Sequence, residues 1–277
     1  MIRGRSSMAI AVRRTDGDIE VANHPLGSLY TAKWRQMPFI RGVIALIESL
    51  VLGTSALMYS TQLSTETEEE KLTPGIMWLS VALGIMLAVV LFFILPLLVA
   101  RFFDPVITSS VVSNLLEGLI RVIFFVIYLL VIGLMQDIRE VFAYHGAEHM
   151  SVNAYESGAE LNVTSVRNHS TAHTRCGTSF LLAVLVLSIL VFALLGRPNI
   201  WLSIISRILL IPVIAGLSYE LIKFEAGHCH NRFVHWMLLP GLWLQSLTTR
   251  KPSDKQLEVA IEAMRKALET DGMLYAG

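Results

Sequence analysis

The chain has 277 residues, of which 54% are hydrophobic and only 16% are charged, with a mean hydropathy of +0.59. Soluble domains carry about a quarter charged residues, so this composition predicts a membrane protein. The 22 basic and 22 acidic side chains cancel, which excludes the strongly basic surface of a nucleic-acid-binding protein. Two cysteines are too few for a disulfide framework.

The N-terminal segment, residues 1–36, predicts a small β-hairpin on the aqueous side of the membrane. Apolar stretches flank Asp16-Gly17, and this pair supplies the positive φ angles of a tight turn. The apolar run Met8 to Val12 is too short for the core of a signal peptide, so insertion is expected to depend on internal spans.

A membrane domain is expected over residues 37–248. A helix needs about 20 apolar residues to cross a bilayer, and four stretches are long enough: Gly75 to Ala100, Val112 to Met135, Thr178 to Leu195 and Ile200 to Ile222. The segment from Phe39 is also apolar at helical spacing, but it carries Arg41 and Glu48. It predicts an amphipathic helix that lies at the interface or re-enters, and Trp236 to Leu247 predicts a second interfacial segment.

Positive charge supports this layout. With four spans and both termini inside, 18 of the 22 basic residues fall in inner segments and two fall in outer loops. A fifth span at Phe39 would divide the basic residues of the loops almost evenly between the two sides of the membrane. The sequence therefore predicts an all-α polytopic protein in the bacterial cell (inner) membrane, with both termini in the cytosol.

Residues 249–277 predict a cytosolic amphipathic helix. Ser253 and Gln256 have the spacing of a capping box. One apolar stripe follows at helical spacing and should dock on the rest of the protein; it consists of Leu257, Ile261, Met264 and Leu268.

A polar insert, residues 137–176, follows the second span and contains the sequence YHGAEHMSVNAYE. If the helix of the span continues to Glu156, His145 and His149 share one face, with Glu148 beside them. Imidazoles at this spacing can bind one Zn²⁺, and the glutamate can act as general base, as in the inverted zincin motif. The alternative is an ordinary pair of surface histidines, and Gly146 weakens the helix assignment.

Further metal-binding side chains follow about twenty residues later, in NHSTAHTRCGTS. His169 and His173 are again four apart, and Cys176 follows three residues on. A metal takes three or four such ligands from separate pieces of chain. The sequence therefore predicts a divalent-metal site, with zinc as the expected ion, against the alternative of histidines in a polar network.

Three charged residues are candidates to support this site. Glu156 can reach a second ion or simply end its helix, and Arg175 can hold an anionic substrate or contact a lipid headgroup. Glu220 can orient the histidines or extend to the membrane surface. The cluster HCHNRFVH, residues 228–235, is a weaker metal candidate, and Glu117 with Arg121 predicts an ion pair within a span.

Several segments together resemble the YqhQ family of bacterial membrane proteins. The matching pieces run in order along nearly the whole chain: MIRGRSSMAIAVRR, RGVIALIESL, FAYHGAEHMSVNAYE, VRNHSTAHTRCGTSFL, LSYELIKF and LPGLWLQSLTTRKPSDKQLEVAI. Family members have a glycine-rich lead before this first piece, and the resemblance implies that the chain begins within it. The family has no assigned function and is often described as predicted metal-dependent enzymes. Its motifs include all five metal-ligand candidates, Glu148 and Glu220, but not the HCH cluster.

Two functions remain open at this point. The first is a membrane metalloprotein with zinc-dependent hydrolase chemistry at the cytosolic surface, acting on a lipid-like molecule or a membrane peptide. The second is a non-enzymatic factor that binds or stabilises another membrane protein complex, in protein insertion or quality control, with a structural metal. A transporter would need internal repeats, which the sequence lacks.

Overall fold

The computed structural model describes residues 1–27, 37–64, 74–173, 176–227 and 232–273. These residues are mostly helical, with one three-stranded antiparallel sheet in the order β1-β2-β3. The strands are β1 (Ile2–Arg3), β2 (Ser7–Arg13) and β3 (Ile19–Pro25). The helices are α1 (Ile40–Ser64), α2 (Pro74–Val89), a π-helical turn (Val90–Ile94), α3 (Leu95–Phe102), α4 (Ser110–Ile132), α5 (Gln136–Glu156), α6 (Val163–Val166), α7 (Gly177–Leu194), α8 (Ile200–Leu209), α9 (Ile211–Gly227), α10 (Arg232–Thr248) and α11 (Asp254–Thr270).

The predicted hairpin is confirmed, and β1 adds a third strand to it. Strands β2 and β3 pair from Ser7↔Pro25 to Arg13↔Ile19, and Gly17 takes a φ of 97° in the turn. Because side chains alternate along a strand, β2 presents Met8 and Ile10 to α1 and Ala9 to α11. The sheet is therefore covered by a helix on both faces.

Helix α11 packs between the sheet and α5, as its apolar stripe predicts. Gln256 accepts a hydrogen bond from the Ser253 amide, which completes the expected capping box at the N-terminus of the helix. Leu257 and Ile261 pack against Ala147 of α5, while the next turns of the stripe pack against the sheet. This layered arrangement fixes one side of α5, the helix that carries the first histidine pair.

The polytopic membrane fold is confirmed by the long apolar helices. Three predicted spans correspond to Trp78–Phe102, Ser110–Ile132 and Gly177–Leu194. The fourth is broken into Ile200–Leu209 and Ile211–Glu225, which meet at an angle of 46°. Pro212 follows this break, where its missing N–H prevents a continuous hydrogen-bond ladder.

Helix α1 is longer than an interfacial helix requires, and its length and apolarity would allow it to cross a membrane. Its contacts favour another placement. Glu48 accepts a hydrogen bond of 2.7 Å from Arg3, Ala56 packs under β2, and Tyr59 donates to Glu20. A sheet with charged side chains and open edges is not stable in the hydrocarbon core. That α1 lies at the interface or re-enters therefore stays a prediction.

A charged cluster is buried among the spans. The predicted pair of Glu117 and Arg121 forms, with 2.7 Å between Oε1 and Nη2. Arg207 of α8 also donates two hydrogen bonds to the Glu117 carboxylate, at 2.7 and 3.2 Å, which the sequence did not predict. The Phe192 ring lies near both guanidinium groups, and Arg121 donates to the Phe92 carbonyl within the π-helical turn. Glu117 thus links α4 to α8, and Arg121 extends the cluster to the π-helical turn and to Ser188 of α7.

Candidate metal centre

Helix α5 holds the first histidine pair where the sequence predicts a shared face. It is a separate helix rather than a continuation of α4, because the chain turns between Gly133 and Met135. The ring centroids of His145 and His149 are 4.4 Å apart. The i and i+4 spacing therefore brings both imidazoles to one place.

Gly146 allows the chain after α10 to approach α5 closely. A Cβ atom on Gly146 would lie 2.1 Å from the Arg250 carbonyl oxygen. In this position the Arg250 amide donates to the Phe142 carbonyl at 2.9 Å. The glycine that weakens the sequence-based helix assignment is thus the residue that lets the two segments pack.

Backbone carbonyls orient both imidazoles. The Nδ1 atom of His145 lies 2.9 Å from the Thr248 carbonyl oxygen, and that of His149 lies 2.6 Å from the Thr171 carbonyl oxygen. A protonated Nδ1 donates to each carbonyl and leaves the Nε2 lone pair available for a metal. In its neutral form each histidine is therefore held in the tautomer that a metal ligand needs.

Cys176 completes a group of three ligand atoms. It is the N-cap of α7, and its Sγ accepts a hydrogen bond from the Thr178 amide. The sulfur lies 3.2 Å from His145 Nε2, and one ligand atom from each of His145, His149 and Cys176 lies within 4.8 Å of the others. Nitrogen and sulfur ligands of tetrahedral zinc are about 3.5 Å apart. These three residues could hold a metal ion.

The charges of this group suit a metal cation. Burial alone would lower the pKa of His145, but the hydrogen bond to Cys176 and the charge of its sulfur raise that pKa to about 8. Burial raises the pKa of the Cys176 thiol, whereas hydrogen bonds from His145 and His149 lower it to about 5. The lowered pKa of the thiol favours the thiolate, the form that binds metals, and a metal held at His145 would displace a proton from that ring.

The second histidine pair does not join this group. His169 Nε2 lies 3.0 Å from Ser157 Oγ, and its Nδ1 lies 3.1 Å from the Ser165 carbonyl oxygen. His173 is closer, with its ring centroid 5.8 Å from that of His149, but its Nε2 lies 3.4 Å from Glu156. Glu156 thus contacts His173 at the end of α5 instead of simply ending the helix.

Of the other residues predicted to support the site, Glu220 does not orient the histidines but forms hydrogen bonds with the start of α1. Its carboxylate accepts hydrogen bonds from the Arg41 side chain and the Phe39 amide, at 2.6 and 3.1 Å. It therefore joins α9 to the start of α1. Arg175 and residues 228–231 of the weaker HCH cluster lie outside the described residues.

Gln245 is a part of the site that the sequence analysis missed. It is fully buried, its Nε2 donates to the His173 carbonyl and to Ser179 Oγ, and its Oε1 accepts from the His173 amide. The side chain thereby joins the backbone of His173 to the first turn of α7. A lone glutamine within the apolar sequence LWLQSL was the available signal.

A cavity of about 740 Å³ opens beside the group, and His145 and Glu148 both contribute to its wall. Its other walls come from β2, α1 and α11. Glu148 is half-buried on the same helix as the two histidines, and its charge helps to raise the pKa of His145. The arrangement combines three side chains that could hold a metal ion, a carboxylate on the same helix and a neighbouring cavity.

We expect the change of Gly146 to Ala to disrupt the centre. The new methyl group would displace the Arg250 carbonyl and the nearby Thr248 carbonyl that orients His145. We expect a loss of about 1–3 kcal/mol in the free energy of unfolding and a decrease in zinc affinity of about 10-fold or more. Denaturant titration and a competitive zinc indicator measure these two quantities.

Gly84→Ala is the matched control, because no atom lies within 4 Å of the added methyl group. This variant should be at least as stable as the wild type, since alanine favours a helix. Equal zinc affinity and stability for Gly146→Ala and Gly84→Ala would refute the proposed role of the close approach.

Comparison with known proteins places the chain in a family. A family model described as a protein of unknown function (DUF1385) matches residues 37–270. The uncharacterized protein YqhQ of Bacillus subtilis strain 168 is 32% identical over 289 residues, which cover 99% of this chain and 90% of that protein. No solved structure matches. The chain therefore belongs to the YqhQ family of membrane proteins, the family of unknown function that its sequence motifs resemble.

Proposed function

We propose that the protein is a zinc-dependent hydrolase at the membrane surface, with His145, His149 and Cys176 as the metal ligands. The observation that carries this proposal is the combination of three converging ligands with a cavity lined by Glu148. Catalytic zinc sites use three protein ligands and keep the fourth position for water or substrate. His173 would be a fourth protein ligand, but its Nε2 lies 3.4 Å from the Glu156 carboxylate instead.

Each residue has a defined task in this mechanism. His145, His149 and Cys176 would hold the zinc ion, which would supply Lewis-acid activation of water and of the substrate carbonyl. Glu148 accepts the proton of the attacking water and later delivers it to the leaving group. Thr248 and Thr171 hold the two imidazoles through their carbonyl groups, and burial of His149 and Cys176 limits access of bulk water.

The proposed location is the cytosolic surface of the bacterial cell membrane, with both termini in the cytosol. The distribution of basic residues supports this orientation. The layered unit of α1, the sheet, α11 and α5 then faces the cytosol, while the apolar helices lie in the lipid bilayer. A substrate reaches the centre from the interface.

A structural metal is the second candidate, in a protein that binds another membrane protein rather than turning over a substrate. One observation favours it: the ligands join α5 to the N-terminus of the span α7. A metal at this position would tie the cytosolic layers to the membrane helices. This function needs the ligands but has no need for the acid–base chemistry of Glu148.

The change of Glu148 to Gln separates the two functions. For the hydrolase, we expect unchanged zinc content but a loss of turnover of about 10²–10⁴-fold, because the proton acceptor is gone. In a strain that lacks the protein, this variant should fail to restore the wild-type phenotype. The exposed Glu160→Gln is the control and should restore it. Full restoration by Glu148→Gln would exclude the hydrolase.

A further inference from the structure

We propose that the cavity beside the centre binds a juxtamembrane segment of a membrane protein, an apolar peptide stretch that carries lysine or arginine. This inference rests on the proposed function, and it names the substrate class of the same site. The support comes from the walls of the cavity, which differ sharply in chemistry from one side to the other.

One side of the cavity is apolar and belongs to elements near the membrane surface. Ile10 and Val12 of β2 line it together with Ala56 and Leu57 of α1, and the first three of these side chains pack in one core cluster. Leu57 is 59% exposed, so the apolar surface continues beyond the cavity along α1. A volume of about 740 Å³ is large enough for several apolar side chains.

The opposite side is acidic. Asp137, Glu140 and Glu148 line the cavity from one helix, α5. Two basic side chains are among the lining residues: Arg13, whose charge is paired with Glu258, and His145, whose ring lies beside the Cys176 sulfur. The cavity therefore attracts cations and repels the negative headgroups of anionic phospholipids.

This combination matches the protein segments that enter the cytosol from a bilayer. Such segments pass from apolar residues to an excess of lysine and arginine, according to the positive-inside rule. The apolar residues of the peptide would occupy the side formed by β2 and α1, and its basic side chains would face α5. An anionic phospholipid also has apolar chains, but its negatively charged headgroup would be repelled by the carboxylates of α5.

Hydrolysis of such a segment is chemically complete with water as the co-reactant. Glu148 takes one proton from water as the water oxygen bonds to the scissile carbonyl carbon. The C–N bond then breaks, and the proton passes to the nitrogen of the leaving amine. The second proton of the water passes from the new carboxylic acid to the amine, so the products are a carboxylate and an ammonium group, with no change of oxidation state.

The test is binding of two labelled peptides to the full chain in detergent, measured by fluorescence anisotropy. Both peptides have the same apolar stretch, followed by lysines in one and by glutamates in the other. We expect the lysine peptide to bind about 10-fold more tightly or better, since charge complementarity selects the partner. Asp137→Lys with Glu140→Lys should abolish or reverse this preference.

The matched control changes two acidic residues that do not line the cavity, Glu262→Lys with Glu269→Lys on α11. This control should keep the preference of the wild type. Equal binding of both peptides, or stronger binding of a soluble anionic phospholipid than of the lysine peptide, would overturn the inference. Loss of preference in the control as well would also overturn it, because the selection would then come from net charge.

The same peptides distinguish this inference from the proposed function. Tight, charge-selective binding without zinc-dependent cleavage would leave the peptide site intact and exclude the hydrolase. Binding should also persist after a chelator has removed zinc from the wild-type chain, because loss of the ion leaves Asp137 and Glu140 in place. Cleavage of the glutamate peptide in preference to the lysine peptide would keep the hydrolase and refute the substrate class.

Discussion

Replacing Glu117 with glutamine is expected to lower the free energy of unfolding by about 3–5 kcal/mol, because it leaves buried charges without a counterion. The carboxylate is almost fully buried and accepts hydrogen bonds from two arginines that are buried as well.

The remaining partners of the two guanidinium groups are neutral. Arg121 would keep its hydrogen bonds to Ser188 and the Phe92 carbonyl, and both arginines would keep the Phe192 ring. These groups satisfy N–H donors, but they do not cancel charge. Two positive charges would therefore lie together among helices that are surrounded by lipid.

Denaturant titration of the detergent-purified protein measures this loss. Glu269→Gln is the matched control, since it removes the same charge from a partly exposed pair with Lys266. Such a pair contributes about 0–1 kcal/mol. If Glu117→Gln were as stable as this control, the arginines would be adequately compensated without the carboxylate, and the cluster would have no role in stability.

Features that depend on local sequence could be predicted well. The apolar runs identified the spans, Asp16-Gly17 identified the hairpin turn, and Ser253 with Gln256 identified the start of α11. Each of these signals acts over a few residues, or over one helix, through backbone preference and periodic burial. The shared face of His145 and His149 belongs to the same class.

Features that depend on distant contacts could not be predicted. Arg207 reaches Glu117 from a helix ninety positions away, and Glu220 pairs with Arg41 rather than with the histidines. The four-residue spacing of His169 and His173 carries no information on the path of the chain after α5. That path depends on tertiary contacts, such as those of Gln245 with the backbone of His173.

The change of both His145 and His149 to alanine is expected to abolish metal binding. It removes two of three ligand atoms and the hydrogen bonds that Thr248 and Thr171 form with the rings. Cys176 alone cannot hold zinc, which takes three or four protein ligands. His169→Ala is the matched control, because His169 contacts Ser157 and the Ser165 carbonyl instead.

Elemental analysis of the detergent-purified full chain, after zinc loading and removal of free ions, tests the metal centre most directly. We predict about one zinc ion per chain in the wild type and in His169→Ala, as expected for a single centre. The His145→Ala, His149→Ala variant should contain none. No zinc in the wild type, or equal zinc in the wild type and the double variant, would contradict the metal centre.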